Sequence, residues 1–379
     1  MASFVRSACQ LSTTGRRYVP KLLRRQETFI AEIRLASGSA KSRSKGFGFK
    51  IGVGLSAVAA SAAVTFTSLN YFFQRENKLL AASRESESES VSAPTYRVQG
   101  PGDNDGLRLT IYQYQTCPFC RKVRAYLDFY GLTYDVVEVN PVLRKEVKFS
   151  TYRKVPIVMA GNERSVKQFN DSSVIISALH AYRLGENKNL DDIVSFFPEI
   201  ISKNEKGKEK TEYGNRYEIM LGKPQPSNDR KEEKKWRRWV DAVFVHTLSP
   251  NVYRTPAEAL QAFDYISETG NFNSFEKYTA KYVGAAGMYF VSKYLKNKWH
   301  LKDDVRESLY DGAEKWMRGV GTKRDFMGGD EPNLADLAMY GVISAIEGFD
   351  AFNDMMKNTS IEPWYRKMSN SVKSHAGAR

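Results

Sequence analysis

The stretch LRLTIYQYQTCPFC, residues 107–120, decides the fold. Apolar residues alternate along its first half, the period of a strand with one buried face, and Pro118 directly after Cys117 marks the first turn of a helix. A Cys-x-x-Cys at such a junction is a site of thiol chemistry. The strand is rigid, while the unpaired backbone N–H groups and positive dipole end of the helix face the first sulfur and favour thiolate over thiol. Cys117 is therefore the first candidate catalytic residue. Cys120, one turn into the helix, reads as a resolving or supporting thiol. Zinc is the rival reading, but Cys9, the third cysteine, and four histidines offer no second ligand pair at metal spacing, so no metal is assigned.

Downstream the pattern predicts strand 107–114, helix 118–130, strand 133–139, helix 141–149, strands 155–159 and 165–169, and helix 172–184. This β-α-β-α-β-β-α order is that of a thioredoxin-like domain, placed at 105–190. Together with Cys117-Pro-Phe-Cys120, the motifs Lys154-Val155-Pro156-Ile157 and Asp171-Ser172 make this segment resemble glutaredoxins and the amino-terminal domain of glutathione transferases. The resemblance implies glutathione as a cofactor. In that pattern the proline matching Pro156 is cis, and Val155 pairs its backbone with the cysteinyl part of the tripeptide as a sheet edge takes an added strand. Asp171 and Ser172 open a helix whose N–H groups, with the Ser172 hydroxyl, can hold the γ-glutamyl carboxylate, and Asp171 can accept from the ligand's amino group. Plainer roles compete: an edge-strand turn for Val155-Pro156, a helix N-cap for Asp171 or Ser172. The Tyr114 hydroxyl can reach the Cys117 sulfur or can be packed away. Phe119 reads as an apolar wall beside the thiol.

Residues 191–230 read as a connector with an insertion, containing a solvated charge run at 203–210 and a short hairpin around 217–220. From 231 to 379 apolar residues recur at helical spacing, beginning with Trp236, Trp239, Val240, Val243 and Phe244, so this half is an all-helical domain like the carboxy-terminal domain of glutathione transferases. Asn333-Leu-Ala-Asp336 reads as a helix cap with Asp336 returning to the Asn333 N–H, a structural assignment for that acid. The fold class is thus α/β plus all-α.

A membrane anchor precedes both domains. Residues 51–73 carry no charge over 23 positions, enough to span a bilayer as a helix, and follow a basic leader at 1–50 that holds 11 Lys and Arg against Glu27 and Glu32. The leader supplies +9 of the net charge of +14, and the +5 left over the rest gives no argument for nucleic acid. Residues 74–104, rich in Ser, Glu, Gly and Pro, read as a flexible linker in which cleavage can release a soluble form. An Arg- and Ser-rich, acid-poor leader is also how a mitochondrial transit peptide reads. Free thiols place the folded part in a reducing compartment, the cytosol, against the weak positive-inside bias.

The anchor, the Cys-Pro-Phe-Cys domain and a helical half containing Ser249-Pro-Asn-Val-Tyr-Arg254-Thr-Pro and Phe326-Met-Gly-Gly resemble the type 2 membrane-associated prostaglandin E synthases. The resemblance implies isomerisation of the lipid endoperoxide prostaglandin H2 to prostaglandin E2, a homodimer, Golgi membrane with a cytosolic catalytic part, and glutathione and haem binding. With haem bound, it implies breakdown of the endoperoxide to a hydroxy fatty acid and malondialdehyde. A soft thiolate at Cys117 with a donor such as Tyr114 suits an isomerase, and an apolar cleft between the domains suits its substrate, with His246 or Arg254 for the substrate carboxylate. A dithiol oxidoreductase of glutaredoxin type and a non-catalytic glutathione and haem carrier are the rival classes.

Overall fold

The computed structural model describes residues 92–378, apart from 142, 187, 204–206, 208, 222–227, 270–277 and 279. The leader, the expected membrane span at 51–73 and the first part of the linker lie outside these residues. Among the described residues no helix is long and apolar enough to cross a membrane.

Alternation over 107–114 becomes β2 (Arg108–Gln113), the centre of a five-stranded sheet that begins with β1 (Tyr96–Val98) and continues through β3 (Tyr134–Glu138), β2, β4 (Ile157–Gly161) and β5 (Val166–Asn170) in that spatial order. β2 pairs in parallel with β3 (Tyr134–Glu138) and antiparallel with β4 (Ile157–Gly161), which pairs antiparallel with β5 (Val166–Asn170). The parallel pair needs a crossover, and α1 (Pro118–Phe129) supplies it. α2 (Ser172–Leu184) keeps the expected bounds.

Three expectations are corrected. The stretch 74–104 is not linker throughout, because β1 (Tyr96–Val98) pairs with β3 at Tyr96↔Val136. Three residues are too few to show alternation; backbone pairing and the Glu138 N–H donated to Thr95 Oγ1 hold them. The helix expected at 141–149 is a single 3-10 turn, Lys145–Val147, because Arg144 is left-handed at φ 51° and only Val147 of the turn is buried. The hairpin falls at β6 (Glu199–Lys203) and β7 (Glu209–Tyr213), after a short α3 (Leu190–Ser195), and not around 217–220. Tyr217 turns inward and donates its hydroxyl to Asp241.

The helical half starts with α4 (Asn228–Trp239), which passes through a π-turn at Val240–Phe244 into α5 (Val245–Val252). α6 (Pro256–Thr269), α7 (Ala285–Lys298), α8 (Val305–Val320), α9 (Leu334–Ser344), α10 (Asp350–Asn358) and α11 (Glu362–Lys373) follow. One continuous core joins the halves: Val123 and Tyr126 of α1 share a cluster with Trp236 of α4 and Leu337 and Ile343 of α9. The α1–α9 contact depends on Gly341, where a Cβ would lie 2.4 Å from the Lys122 Cα.

The cap expected at 333–336 forms, with Asn333 accepting from the Asp336 N–H and Asp336 accepting from the Asn333 N–H. Asp336 also accepts from the N–H groups of Met327 and Gly328 and from Trp364 Nε1. Truncating it strands four donors, of which those of Met327 and Trp364 are buried and cost about 1–3 kcal/mol each if neither relaxes. Asp336→Ala should therefore lower unfolding free energy by at least about 2 kcal/mol in a urea titration, and a change under about 1 kcal/mol would refute this keystone role.

Candidate active site at the amino end of α1

Cys117 is the N-cap residue of α1, half-buried, with its N–H donated to the Tyr114 carbonyl at 3.1 Å. Cys120, one turn on, is fully buried. The Cys120 thiol donates to the Cys117 sulfur and is the largest influence holding that sulfur below the ordinary thiol range. Burial pushes the other way, but the N–H groups of Cys120 and Phe119 and the Lys122 ammonium add to the lowering. Burial, and then its bond to Cys117 and the charge there, push Cys120 well up. The two sulfurs are therefore pushed in opposite directions, the outer one down and the inner one up.

Tyr114 packs with Tyr152 and Val155 against a small cluster built on Tyr112, Val137 and Ile157. Its phenol is pushed up by burial, partly offset by Arg144, and further raised by charge at Cys120 and Cys117, so it stays a donor beside the sulfurs. Phe119 packs against the main core, with the Lys122 ammonium 5.8 Å from its ring centre. The Val155-Pro156 bond is cis, and the register pairs of β4 begin at Ile157, leaving the Val155 backbone beyond the ladder at the sheet margin. Asp171 is the N-cap of α2, accepting from the N–H groups of Ser173 and Val174. It adopts φ 66°, a conformation that costs a non-glycine residue about 1–3 kcal/mol and clusters at functional sites. Ser172 is only 2% exposed.

What sequence reading missed is the polar network beneath this margin. Lys122, 1% exposed, donates to Asp241 Oδ1 at 2.5 Å and to Ser173 Oγ at 2.8 Å. Asp241 Oδ2 accepts from Ser173 Oγ at 2.6 Å and the Tyr217 hydroxyl at 3.0 Å, with Arg216 at 3.6 Å. Arg216 also pairs with both oxygens of Asp171, at 3.0 and 2.8 Å. A chain of contacts thus runs from the thiol helix through the π-turn of the helical half to Asp171. Tyr152 closes the rim, its phenol pushed up by burial and by the charge of Asp171.

The two residues assigned to a substrate carboxylate are each engaged by another side chain. The Arg254 guanidinium is bound by both oxygens of Glu258, at 3.1 and 3.0 Å, so a substrate carboxylate would compete with that pair. Glu258 in turn pairs with buried Arg306 at 2.6 Å. His246 stacks on Trp299 with ring centres 3.6 Å apart. Burial, and then Lys298, hold it below the usual imidazole range. Thr116 and Pro118 face Leu248, Val252, Ile346 and Phe349 across a narrow apolar pocket of ≈ 50 Å³ between the thiol loop and the helical half.

The description "Glutathione S-transferase, N-terminal domain" matches residues 111–183. A solved glutathione S-transferase I bound with lactoylglutathione is 13% identical, with 71% of this chain and 98% of that one covered at a TM-score of 0.40. Prostaglandin E synthase 2 of Mus musculus is 52% identical over 291 residues, 75% of each chain. That of Danio rerio is also 52% identical, over 272 residues, 70% of this chain and 71% of its own. A sheet of this topology with a thiol pair at the start of α1 and a helical half behind it defines an enzyme of glutathione-transferase build. The chain belongs to the prostaglandin E synthase 2 family.

Proposed function

We propose that this chain is a glutathione-dependent isomerase that converts prostaglandin H2 to prostaglandin E2 through the Cys117 thiolate. The observation that carries the reading is the split thiol pair: a half-buried Cys117 held below the thiol range by a buried donor, Cys120. Glutathione suits the margin beside it, where the Val155 backbone lies beyond the ladder and the strained Asp171 is held by Arg216. When bound, glutathione supplies a second thiol next to Cys117. The Val155 backbone pairs with its cysteinyl part, and Pro156 shapes the turn. Asp171 and the N–H groups at Ser172 take its γ-glutamyl end, with Phe119 as an apolar support.

The chemistry balances on this chain's own groups. The Cys117 sulfur forms a bond to one endoperoxide oxygen as the O–O bond breaks, and the other oxygen takes a proton from Tyr114 to become hydroxyl. The proton on the carbon bearing the sulfur-bound oxygen then leaves to the Tyr114 phenolate. Its electron pair forms the ketone, and the S–O bond breaks to return the thiolate. No net oxidation occurs, and the pocket between Thr116 and Phe349 offers apolar contact to the lipid. His246 lies on α5, whose Leu248 and Val252 line that pocket, while Arg254 would have to leave Glu258 to serve the substrate.

Anchorage through 51–73, a Golgi membrane location with a cytosolic catalytic part, and a homodimer belong to the same reading. The lyase alternative requires haem. Its iron would need a single axial ligand, which the sulfur of bound glutathione could supply.

The test is incubation of the purified chain with the endoperoxide, with and without glutathione and with and without haem, followed by product analysis. Prostaglandin E2 that depends on glutathione and not on haem is expected, while hydroxy fatty acid and malondialdehyde confined to the haem-loaded sample would move the reading to the lyase. Asp171→Ala should raise the KM for glutathione about 10-fold, the loss of one charged contact, with a smaller change in kcat.

A further inference from the structure

One face of α1 that the thiol site does not use carries Arg121, Arg124 and Asp128, and these line a separate cavity of ≈ 280 Å³ closed by Glu347, Lys373 and His375. That volume sits at the low end of small-ligand sites. Arg121 Nε donates to the Gln115 carbonyl at 3.0 Å, and Arg124 Nη1 donates to Gln115 Oε1 at 3.0 Å and the Tyr96 hydroxyl at 3.3 Å. Arg124 Nε is buried and has no hydrogen-bond partner. Among the described residues none of Arg121, Arg124 and Lys373 has a carboxylate oxygen within 4.0 Å.

Two acids share the cavity. Asp128 Oδ1 accepts from the Tyr134 hydroxyl at 2.5 Å, and Glu347 makes no ion pair. His375 Nδ1 donates to the Asp128 carbonyl at 2.6 Å. Three cations therefore line one concavity, two of them three residues apart on a helix where like charges repel. An anion relieves that repulsion through charge-assisted hydrogen bonds.

We infer that this cavity binds a small oxyanion, a carboxylate or a phosphate, held by Arg121, Arg124 and Lys373. Glu347 is the acid that opposes it. Phosphate and succinate, each titrated into the full-length protein in neutral detergent at constant ionic strength set by sodium chloride, separate the two sources by calorimetry. At least one should bind saturably and raise the melting temperature. Arg124→Gln and Lys373→Gln should each weaken that binding about 10-fold, while Glu347→Gln tightens it. Lys373 sits at the end of α11, so its variant keeps the test alive should Arg124→Gln fail to fold. Absence of saturation with both anions, or charge variants that bind as the parent does, would overturn the site. Cys117→Ser should bind the anion unchanged.

Discussion

Cys117→Ser should lose prostaglandin E2 formation by about 100-fold or more, while Cys120→Ser keeps a substantial part of it. The asymmetry follows from the roles the geometry gives the two sulfurs. A serine hydroxyl at 117 is not ionised near neutrality, so no soft nucleophile remains at the start of α1. A serine at 120 still places a donor behind Cys117, at the cost of a poorer fit in a fully buried position. Cys120→Ala removes the donor that contributes most to the lowered Cys117 pKa, so the thiolate fraction at neutral pH must fall. The rate of iodoacetamide alkylation at Cys117, followed against pH, should therefore shift to higher pH in Cys120→Ala relative to the parent. Endoperoxide turnover should shift the same way. An unshifted alkylation profile would show that the inner thiol does not set the outer one. Equal loss in both serine variants, in a disulfide-exchange assay run beside a parent that forms no prostaglandin E2, would make the chain a dithiol oxidoreductase instead.

The thiol junction was legible because every cue there is local: alternation into Gln113, a cysteine, a proline at the first helical position. The same holds for α2, whose start at Asp171-Ser172 is a cap signal, and for Asn333-Leu-Ala-Asp336. β1 was not legible, since its three residues are held by pairing with a strand 40 positions away and carry no period of their own. The helix expected at 141–149 had helical spacing but no second buried face to support it beyond Val147. Lys122 and Asp241 were missed for a different reason. Each is a charge inside a run that is otherwise apolar in period, Lys122 three residues after Phe119 and four before Tyr126, Asp241 between Val240 and Ala242. A lone charge on a core-facing position signals a buried partner. Its partner here lies 119 residues away, and only the packed halves reveal it.

That pair carries the second large effect. Asp241→Asn leaves the Lys122 ammonium buried against a neutral amide, and an uncompensated buried charge costs about 3–5 kcal/mol, a large part of the stability of an ordinary domain. Lys122→Met should cost less, because Asp241 keeps Ser173 and Tyr217 as donors and Arg216 at 3.6 Å. Replacing both, Lys122→Met with Asp241→Leu, should be milder than the two single losses added, since no charge is then stranded. Burial alone would push the Asp241 carboxyl up, but Lys122, Ser173 and Arg216 outweigh it and hold it below the usual range. Its contribution is therefore fully present above the unfolded-state value of about 3.9 and is lost as pH falls through the lower folded value, so the parent should show an acid-side loss that Asp241→Asn lacks. The network also reaches Asp171 through Arg216, so Asp241→Asn should raise the glutathione KM in whatever fraction stays folded. Urea titrations of the four proteins at pH 7 and at about pH 2.5, below the unfolded-state carboxyl value, decide the matter. Single-variant losses below about 1 kcal/mol would mean that solvent reaches the pair and that it does little to join the two halves.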